Sequence, residues 1–357
     1  MAAASSVSVA PDRLERFVTG IIAAHGSAPE EAAEVAQRLV EADVTGHASH
    51  GVTQVEVYVN SLRLGHLSPN RHAEIVRDEP PFLVVEGGFG YGQVIAREAT
   101  DLAISRAQSG GACILALRNA HHIGRVGAYG ERCAAAGMIG IFFVNVVSRA
   151  QVAPHGGARP RLGTNPICIA VPATDRHPPF LLDLATSAIA ANKCRIAVAK
   201  GETVAEGLIL DAEGRPTTDP SVMFGQPQGA LLPFGGHKGF GLALACEILA
   251  GALASGLPSL PDNLRPGRVA NSALAFVIDP ARVSGPEWRS LTDAVLDYVL
   301  DTPAAPGFDR VRVAGQPEAE HRAAAAASGV PLDPGTLAAL TRLGAEQGLD
   351  LAELLGP

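Results

Sequence analysis

The amino-acid sequence predicts an α/β protein of the α+β type, in which helical ends enclose a β-rich middle. Apolar residues make up 47% of the 357 residues and charged residues 18%, which is typical of a globular chain with a large core. Apolar residues recur with a helical period near both ends, whereas the middle consists of short β-type runs broken by glycine and proline. We therefore expect a discontinuous helical domain, residues 1–78 and 285–357, that carries a β-rich domain, residues 79–284.

Helices and strands alternate in the first half of the chain. Apolar periodicity predicts helices at 11–42, in two pieces, at 93–108 and at 126–136. Short apolar runs predict strands at 81–86, 112–117 and 138–147. One apolar helix is expected among the later β runs, at 239–255, and helices return at 288–300, 318–327 and 334–347.

The composition excludes several classes of protein. With a formal net charge of −8 and only 4% aromatic residues, the chain lacks the basic face and the stacking side chains of nucleic-acid-binding proteins. No apolar run reaches the roughly 20 residues that span a bilayer, and residues 1–11 lack the basic and apolar regions of a signal peptide. The five cysteines are scattered and form no CxxC pair. We therefore expect a soluble, cytoplasmic protein without a nucleic-acid or membrane partner.

A glycine-rich turn, Gly88 to Gly92, follows a predicted strand and precedes a predicted helix. Its GxGxG spacing differs from the GxGxxG of Rossmann dinucleotide sites, and no acidic residue ends a second strand at the required distance. We therefore interpret this segment as a turn before a helix.

Polar side chains concentrate between residues 43 and 51, directly after a helix. His47, Ser49 and His50 lie there among glycines. The residue types leave three interpretations open: a metal site, a serine nucleophile with its histidine base, or a hydrogen-bonded turn. The metal interpretation is weak, because a structural zinc ion needs four ligands.

Two adjacent histidines, His121 and His122, stand between a predicted strand and a predicted helix, where loops commonly carry function. Adjacent side chains on an extended backbone point to opposite faces. We therefore expect one histidine to act at a site and the other to be structural. Histidine is the side chain best suited to move a proton near neutral pH.

A second glycine-rich loop runs from Pro233 to Gly239 and enters a predicted helix, with Lys238 at the helix start. Free backbone N–H groups at a helix start, together with an ammonium group, favour an anion such as a phosphate. The alternative interpretation is a flexible loop without a ligand.

Taken together, these motifs resemble the malate/L-lactate dehydrogenase type-2 family. Seven stretches occur in the family's order and are distributed over nearly the whole chain, at 43–51, 122–124, 154–166, 183–187, 214–220, 233–241 and 305–308. The resemblance implies a non-Rossmann, mixed-sheet nucleotide-binding domain, a helical domain built from both termini, and a homodimer.

The resemblance also implies an activity. It indicates an NAD(P)-dependent oxidoreductase, with NADH or NADPH as the cofactor. The hydride would pass between the nicotinamide and a small 2-oxo acid or 2-hydroxy acid, or a cyclic 2-imino acid, so that the substrate is a small carboxylate.

Carried over position by position, the resemblance assigns His122 as the catalytic acid and base. It assigns Ser49, His50 and Asp183 to a hydrogen-bonded relay. The implied cofactor contacts are Ser148, Asp183, Leu184, Ala185, Lys238, Gly307, Phe308 and Asp309. The substrate contacts that we expect are Gln54, Arg125, Arg149 and Thr164, although Gln54, Arg125 and Arg149 differ from the family's usual residues.

The chain departs from the family at the substrate end. Gln54 stands where the family usually carries the arginine that binds the substrate carboxylate. Arg125 and Arg149 stand beside motifs where small or acidic residues are more usual, so we expect one of them to replace the missing arginine. Two alternative functions are a hydrolase that uses Ser49 and His50 or a histidine-bound metal, and a family member that binds a nucleotide without catalysis.

Overall fold

The structure is a computed structural model that describes residues 7–350 and residue 354. In these residues the strands are β1 Val7–Val9, β2 Glu74–Glu79, β3 Phe82–Glu86, β4 Ala112–Ala120, β5 Ile139–Val147, β6 Ile167–Val171, β7 Phe180–Leu184, β8 Ile209–Leu210, β9 Pro216–Thr217, β10 Ala230–Leu231, β11 Ala270–Ile278 and β12 Val330–Leu332. The helices are α1 Pro11–Ala24, α2 Pro29–Val44, α3 Val55–Arg63, α4 Gly92–Gly110, α5 Gly127–Ala135, α6 Ala191–Lys200, α7 His237–Cys246, α8 Pro280–Ser284, α9 Trp288–Leu300, α10 Gln316–Ser328 and α11 Pro334–Glu346. None of these helices is long and apolar enough to cross a membrane.

Seven strands form one mixed sheet in the order β2-β3-β4-β11-β5-β6-β7. Neighbours are antiparallel except β3 and β4, which run parallel. The mixed α/β fold is therefore confirmed, and the sheet differs from the doubly wound parallel sheet of a Rossmann fold. Because the strands alternate in direction, the ends of β4, β5 and β7 and the beginnings of β6 and β11 lie at one edge.

Small side chains on the central strand allow close packing of this sheet. Ala270, Ala273 and Ala275 of β11 are buried, and β11 pairs with both β4 and β5. α4 buries Ile95 and Ala99 in the same apolar core. Removing this apolar surface from water is the main stabilising contribution to the sheet.

A second core is built from both ends of the chain. α1 and α2 contribute Leu14 and Leu39, and α11 contributes Leu340 and Leu343. β1 pairs with β12 in a short antiparallel ladder, which ties the two ends together. Helices α1, α2 and α11, from the two ends of the chain, therefore share one apolar cluster.

Three local features differ from the sequence prediction. Strand β2 was not predicted because every side chain in it is exposed, so it lacks apolar alternation, and the expected domain boundary at residue 78 falls inside it. Helix α6 lies in a region predicted as β runs, where its small and polar residues give a weak helical pattern. The helix expected at 239–255 is α7 followed by a π-helical segment, Glu247–Leu253.

Helix α9 contacts the loop between β6 and β7 and is not part of the terminal helical core. Asp297 on this helix pairs with Arg176 and His177, which lie between β6 and β7. The C-terminal segment therefore contacts this loop before it reaches the helical core at α11.

Candidate active site

One edge of the seven-stranded sheet brings together residues from distant parts of the chain. His122 follows the end of β4, Ser148 follows the end of β5, and Thr164 precedes β6. Asp183 is the second-to-last residue of strand β7, which ends at Leu184. The alternating strand directions place these residues at the same edge.

The backbone around His122 is fixed from two sides. Asn271 on β11 accepts a hydrogen bond from the Ile123 N–H at its Oδ1 atom, at 2.9 Å. On the other side α4 begins so close that a Cβ atom at Gly92 would lie 2.4 Å from the His122 carbonyl oxygen. The last glycine of the Gly88–Gly92 turn is therefore required by packing.

The His122 ring lies between two other side chains. The Tyr58 hydroxyl is 2.7 Å from His122 Nδ1, and the His50 ring stacks on the His122 ring with centroids 5.6 Å apart. Burial, with smaller contributions from His50 and His121, lowers the pKa of His122 well below 6.5. The imidazole is therefore neutral at neutral pH.

The segment that contains Ser49 and His50 is a short 3-10 turn held by a carboxylate. Asp43 Oδ2 accepts a hydrogen bond from the Val52 N–H at 2.8 Å. A Cβ atom at Gly51 would lie 2.0 Å from Asp43 Oδ1, so this motif needs glycine. Burial raises the pKa of Asp43 to about 7.

Ser49 and His50 contact each other, and Gln54 contacts their loop. Ser49 Oγ is 3.0 Å from His50 Nδ1, and Gln54 Nε2 donates to the Ser49 carbonyl oxygen at 2.7 Å. Burial, followed by His47 and Arg125, lowers the pKa of His50 to about 4. The amide nitrogen of Gln54 is therefore already hydrogen-bonded to the backbone of the loop that contains Ser49.

Asp183 binds the start of α5. Its Oδ2 atom accepts a hydrogen bond from the Gly127 N–H at 2.6 Å. Burial raises the pKa of Asp183, and this effect is opposed by the Gly127 hydrogen bond and then by His47 and Arg125. Among the described residues, no hydrogen bond connects Asp183 to His50.

Arg125 is buried beside Asp183. Its Nη2 atom pairs with Glu131, and its Nη1 atom is buried without a hydrogen-bond partner in the described part of the chain. A Cβ atom at Gly127 would lie 2.5 Å from Arg125 Nη1 and 2.9 Å from Asp183 Oδ2. The guanidinium is therefore a counter-charge for the buried Asp183 carboxylate.

His121 has the surroundings of a packing residue. It is fully buried, and neither ring nitrogen has a hydrogen-bond partner within residues 7–350. Its ring packs edge-on against Tyr58, with centroids 5.4 Å apart, and burial lowers the pKa of His121 to about 3. These surroundings fit the structural role expected for one histidine of the pair.

Three segments that we expect to contact the cofactor or the substrate are joined by hydrogen bonds: the one before β6, the one after β7 and the loop before α7. The N–H and the hydroxyl of Thr186 both donate to the Thr164 carbonyl oxygen at 2.9 Å. The Phe234 N–H donates to the Thr186 carbonyl oxygen at 3.0 Å. These bonds tie Thr164 and the end of β7, with Leu184 and Ala185, to the loop before α7.

The loop before α7 leaves a lysine free at the helix start. Gly235 and Gly236 have φ angles of +55° and +61°, the left-handed region that favours glycine. A Cβ atom at Gly239 would lie 2.2 Å from the Phe234 carbonyl oxygen. Lys238 is exposed, and no described carboxylate pairs with it. A helix start with a free ammonium group fits the phosphates of a dinucleotide.

Ser148 and Arg149 follow β5 at the same edge of the sheet. The Arg149 side chain is exposed, and its guanidinium carbon lies 5.9 Å from the Phe224 ring centroid. Within the described ranges, Arg149 has no carboxylate partner. Its charge is therefore free to bind an anion.

The expected cofactor contacts Gly307, Phe308 and Asp309 lie on an exposed loop between α9 and α10. Asp309 pairs with Arg312 at 2.6 Å, and Phe308, Arg310 and Arg312 line a cavity of about 390 Å³. Among the described contacts, none joins this loop to the rest of the site.

Comparison with known proteins identifies the family. The profile of the malate/L-lactate dehydrogenase family matches residues 9–341. The chain belongs to this family. It is 45% identical to the L-lactate dehydrogenase of Cupriavidus necator over 85% of this chain and 88% of that protein. It is 40% identical to hydroxycarboxylate dehydrogenase B of Escherichia coli over 92% of this chain and 91% of that protein. The structure of sulfolactate dehydrogenase from Methanocaldococcus jannaschii matches with a TM-score of 0.87 and 32% identity, covering 98% of this chain and 100% of that chain.

Membership of the malate/L-lactate dehydrogenase family makes the chain a dehydrogenase, and its dehydrogenase relatives imply a nicotinamide cofactor. The chain is therefore a dehydrogenase and not the hydrolase considered as an alternative. In residues 7–350 and 354, no three His, Cys, Asp or Glu side chains are grouped to hold a metal ion.

Several contacts in this family member have no counterpart in the sequence prediction. Tyr58 and Gln93 lie behind His122, Asn271 holds the loop after β4, and Glu131 pairs with Arg125. Most of these contacts join residues that are far apart in the chain, which local spacing does not indicate. Tyr58 lies on α3, which begins shortly after the Ser49 and His50 segment.

Proposed function

We propose that this chain is an NAD(P)-dependent dehydrogenase that interconverts a small 2-hydroxy acid and its 2-oxo acid. The observation that carries the proposal is the position of His122, a neutral imidazole at the sheet edge with Tyr58 at Nδ1 and His50 stacked on its face. The relatives support this substrate class, because lactate and sulfolactate are both 2-hydroxy acids.

The residues that would hold the dinucleotide are Lys238 at the start of α7, Ser148, and the segment Asp183–Ala185. The N–H groups of Lys238, Gly239 and Phe240 are hydrogen-bonded within the loop, to Gly235, Phe234 and Gly236. The attraction for phosphates therefore comes from the Lys238 ammonium group and the positive end of the α7 dipole. A bound nicotinamide would accept or supply the hydride at carbon 2 of the substrate. NADH and NADPH are separated by direct titration of the purified protein.

In this proposal His122 takes up and returns the proton of the substrate hydroxyl. Since burial keeps the pKa of His122 well below 6.5, the ring is neutral at neutral pH, as a base that takes up the hydroxyl proton during oxidation must be. Reduction of the oxo acid needs the protonated ring. Its rate should therefore rise as the pH falls toward that lowered pKa, whereas the rate of oxidation should fall only near that pKa.

Arg149 is the group proposed to bind the substrate carboxylate. Enclosing a carboxylate without a cationic partner is costly, and Gln54 supplies hydrogen bonds but no charge. Arg125 already pairs with Glu131. Arg149 is exposed at the same sheet edge without a described carboxylate partner, so its guanidinium is available.

The proposal is tested by assaying oxidation of lactate, malate and sulfolactate with NAD⁺ and NADP⁺, and reduction of the matching oxo acids and of a cyclic 2-imino acid. His122→Asn should lower kcat by about 10²–10⁴ and leave cofactor affinity unchanged, because a positioned acid or base contributes in this range. His121→Asn is the matched control and should retain most of the activity.

Two results would contradict this assignment. A larger loss of kcat in His121→Asn than in His122→Asn, with both variants folded by circular dichroism, would move the acid–base role to His121. Cofactor binding without turnover of any of these substrates would contradict the substrate class and favour a nucleotide-binding protein without catalysis.

A further inference from the structure

Two buried polar side chains, Tyr58 and Gln93, form a line behind His122. The Tyr58 hydroxyl is 2.7 Å from His122 Nδ1, and Gln93 Nε2 is 2.5 Å from the Tyr58 hydroxyl oxygen. The Tyr58 and Gln93 residues are 0% and 1% exposed. Among the described residues, the Tyr58 hydroxyl has no other hydrogen-bond partner.

The directions of these hydrogen bonds follow from the chemistry of the groups. The Gln93 amide nitrogen can only donate, so the Tyr58 oxygen accepts from it. The Tyr58 O–H proton must then point to its remaining partner, His122 Nδ1. His122 Nδ1 is therefore an acceptor, and the neutral ring carries its proton on Nε2.

A ring with its proton on Nε2 cannot accept a second proton at that atom. Proton uptake from a substrate hydroxyl needs an unprotonated Nε2 and therefore a proton on Nδ1. The Nδ1–H group would then donate to the Tyr58 oxygen. The Tyr58 O–H proton would need a new acceptor. Gln93 Oε1 is buried without a described hydrogen-bond partner, and it would take that position if the amide turned over.

We propose that Tyr58 and Gln93 are positioning residues that set which ring nitrogen of His122 carries the proton, and that the Gln93 amide turns over when His122 becomes ready to accept a proton from substrate. This inference rests on the proposed acid–base role of His122. The tautomer change is balanced by water: His122 releases its Nε2 proton to water and takes one proton from water at Nδ1, so the neutral ring carries one proton in both states. Tyr58 keeps its own proton and rotates its O–H from His122 Nδ1 to Gln93 Oε1. The titratable groups that face His122 are His50, His121 and Tyr58 itself.

The direct test is Tyr58→Phe, which removes the hydroxyl and keeps the ring that packs against Tyr91 and His121. Neutral His122 loses a hydrogen-bond donor, so the pKa of His122 should rise by about one pH unit. The value of kcat for oxidation should fall by about tenfold while KM changes less than about threefold, because the Nδ1–H of the accepting ring loses the Tyr58 oxygen that would hold it.

The matched control is Tyr91→Phe. Tyr91 is as buried as Tyr58, and its ring meets that of Tyr58 at a centroid distance of 5.8 Å, but no described hydrogen bond joins it to His122. This variant should leave both the pKa of His122 and kcat unchanged. The titration is followed by NMR of histidine labelled with carbon-13, and the His122 signal is assigned by its loss in His122→Asn.

A second variant tests the role of position 93. In Gln93→Glu an ionised carboxylate cannot donate, so the Tyr58 O–H turns toward it and the Tyr58 oxygen accepts from His122 Nδ1. The pKa of His122 should rise, whereas adding Gln93→Glu to a chain that already carries Tyr58→Phe should cause little further rise. Equal shifts with and without the Tyr58 hydroxyl would overturn the relay, because the effect would then be charge acting directly through space.

An unchanged His122 titration in Tyr58→Phe, or an equal shift in Tyr91→Phe, would also overturn the proposal. The NMR titration needs no substrate, so this outcome is separate from a failure of the proposed function. Shifts of the predicted sign in a protein that oxidises no 2-hydroxy acid would uphold the relay and reject only the substrate class.

Discussion

At the scale of single residues, His50, His121 and His122 lie close together, with His121 buried and the other two half-buried. Burial lowers the pKa of each of them, to about 4 for His50, to about 3 for His121, and well below 6.5 for His122. A positive charge on one ring disfavours a charge on the others. All three rings are therefore neutral at rest, and the site can hold one added proton while the substrate reacts.

The substrate arginine gives a prediction at this scale. Arg149→Met should raise KM for the acid substrate by about tenfold or more and leave NAD(P)H affinity within about twofold, because only the carboxylate loses its cationic partner. The measurement is steady-state kinetics together with fluorescence titration of the cofactor.

The control for this prediction is Arg161→Met, another exposed arginine, whose side chain donates to the Pro160 carbonyl oxygen. KM should be unchanged in this variant. An unchanged KM in Arg149→Met, with a raised KM in folded Arg125→Met, would make Arg125 the anchor. Equal turnover of the acid and its neutral amide would mean that the carboxylate is not recognised.

The sequence predicted several of these residues and missed others for a physical reason. His122 and the Ser49 and His50 pair stand in short motifs, so local spacing was enough to single them out. Tyr58 was missed because it meets His122 only through tertiary packing. Gly92 was interpreted as part of a turn, whereas its lack of a Cβ atom allows α4 to approach the His122 carbonyl oxygen.

At the scale of elements, the start of α7 is the proposed phosphate site. Lys238→Ala should weaken NAD(P)H binding by about 1–3 kcal/mol, the range for loss of a charge-assisted hydrogen bond. The value of kcat at saturating cofactor should change little. Fluorescence titration of the reduced cofactor measures this directly.

Lys200 is the control for that experiment. It is an exposed lysine in the last turn of α6, and Lys200→Ala should leave cofactor affinity unchanged. Equal affinities of Lys238→Ala and the unmodified chain would reject α7 as the phosphate site. The exposed loop that holds Gly307, Phe308 and Asp309 would then be the next segment to test.

The elements that were predicted correctly have strong local patterns. The helix predicted at 93–108 is α4, which buries one apolar face. The strand predicted at 138–147 is β5, in which buried and partly exposed side chains largely alternate. Strand β2 has no buried side chain. It pairs with β3 through backbone hydrogen bonds, which the pattern of apolar and polar side chains does not indicate. Element prediction therefore failed where burial was absent.

At the scale of the whole molecule, the candidate site depends on antiparallel strand pairing, which places the ends of β4, β5 and β7 at the same edge of the sheet. Strand β11 lies between β4 and β5, although it comes much later in the chain. No local pattern indicates that order, since it depends on long-range pairing. The mixed sheet was predicted from the family resemblance, whereas the helices at both ends of the chain were predicted from the periodicity of apolar residues.

The described surface also carries apolar side chains that favour self-association. Leu244, Ile248 and Leu253 are exposed on α7 and the π-helical segment that follows it. We expect a homodimer, because a second copy would remove such side chains from water. Sedimentation velocity should give one species with twice the mass of the chain, and a single species with the mass of one chain would contradict this expectation.

The most direct test of the central claim follows the hydrogen that leaves the substrate. The chain is incubated with NAD⁺ or NADP⁺ and a 2-hydroxy acid carrying deuterium at carbon 2, and the reduced cofactor is analysed by mass spectrometry. The account predicts that the reduced nicotinamide gains one deuterium in the unmodified chain, and that His122→Asn slows this transfer by about 10²–10⁴. Reduced cofactor without deuterium, or transfer at an undiminished rate in His122→Asn, would contradict it.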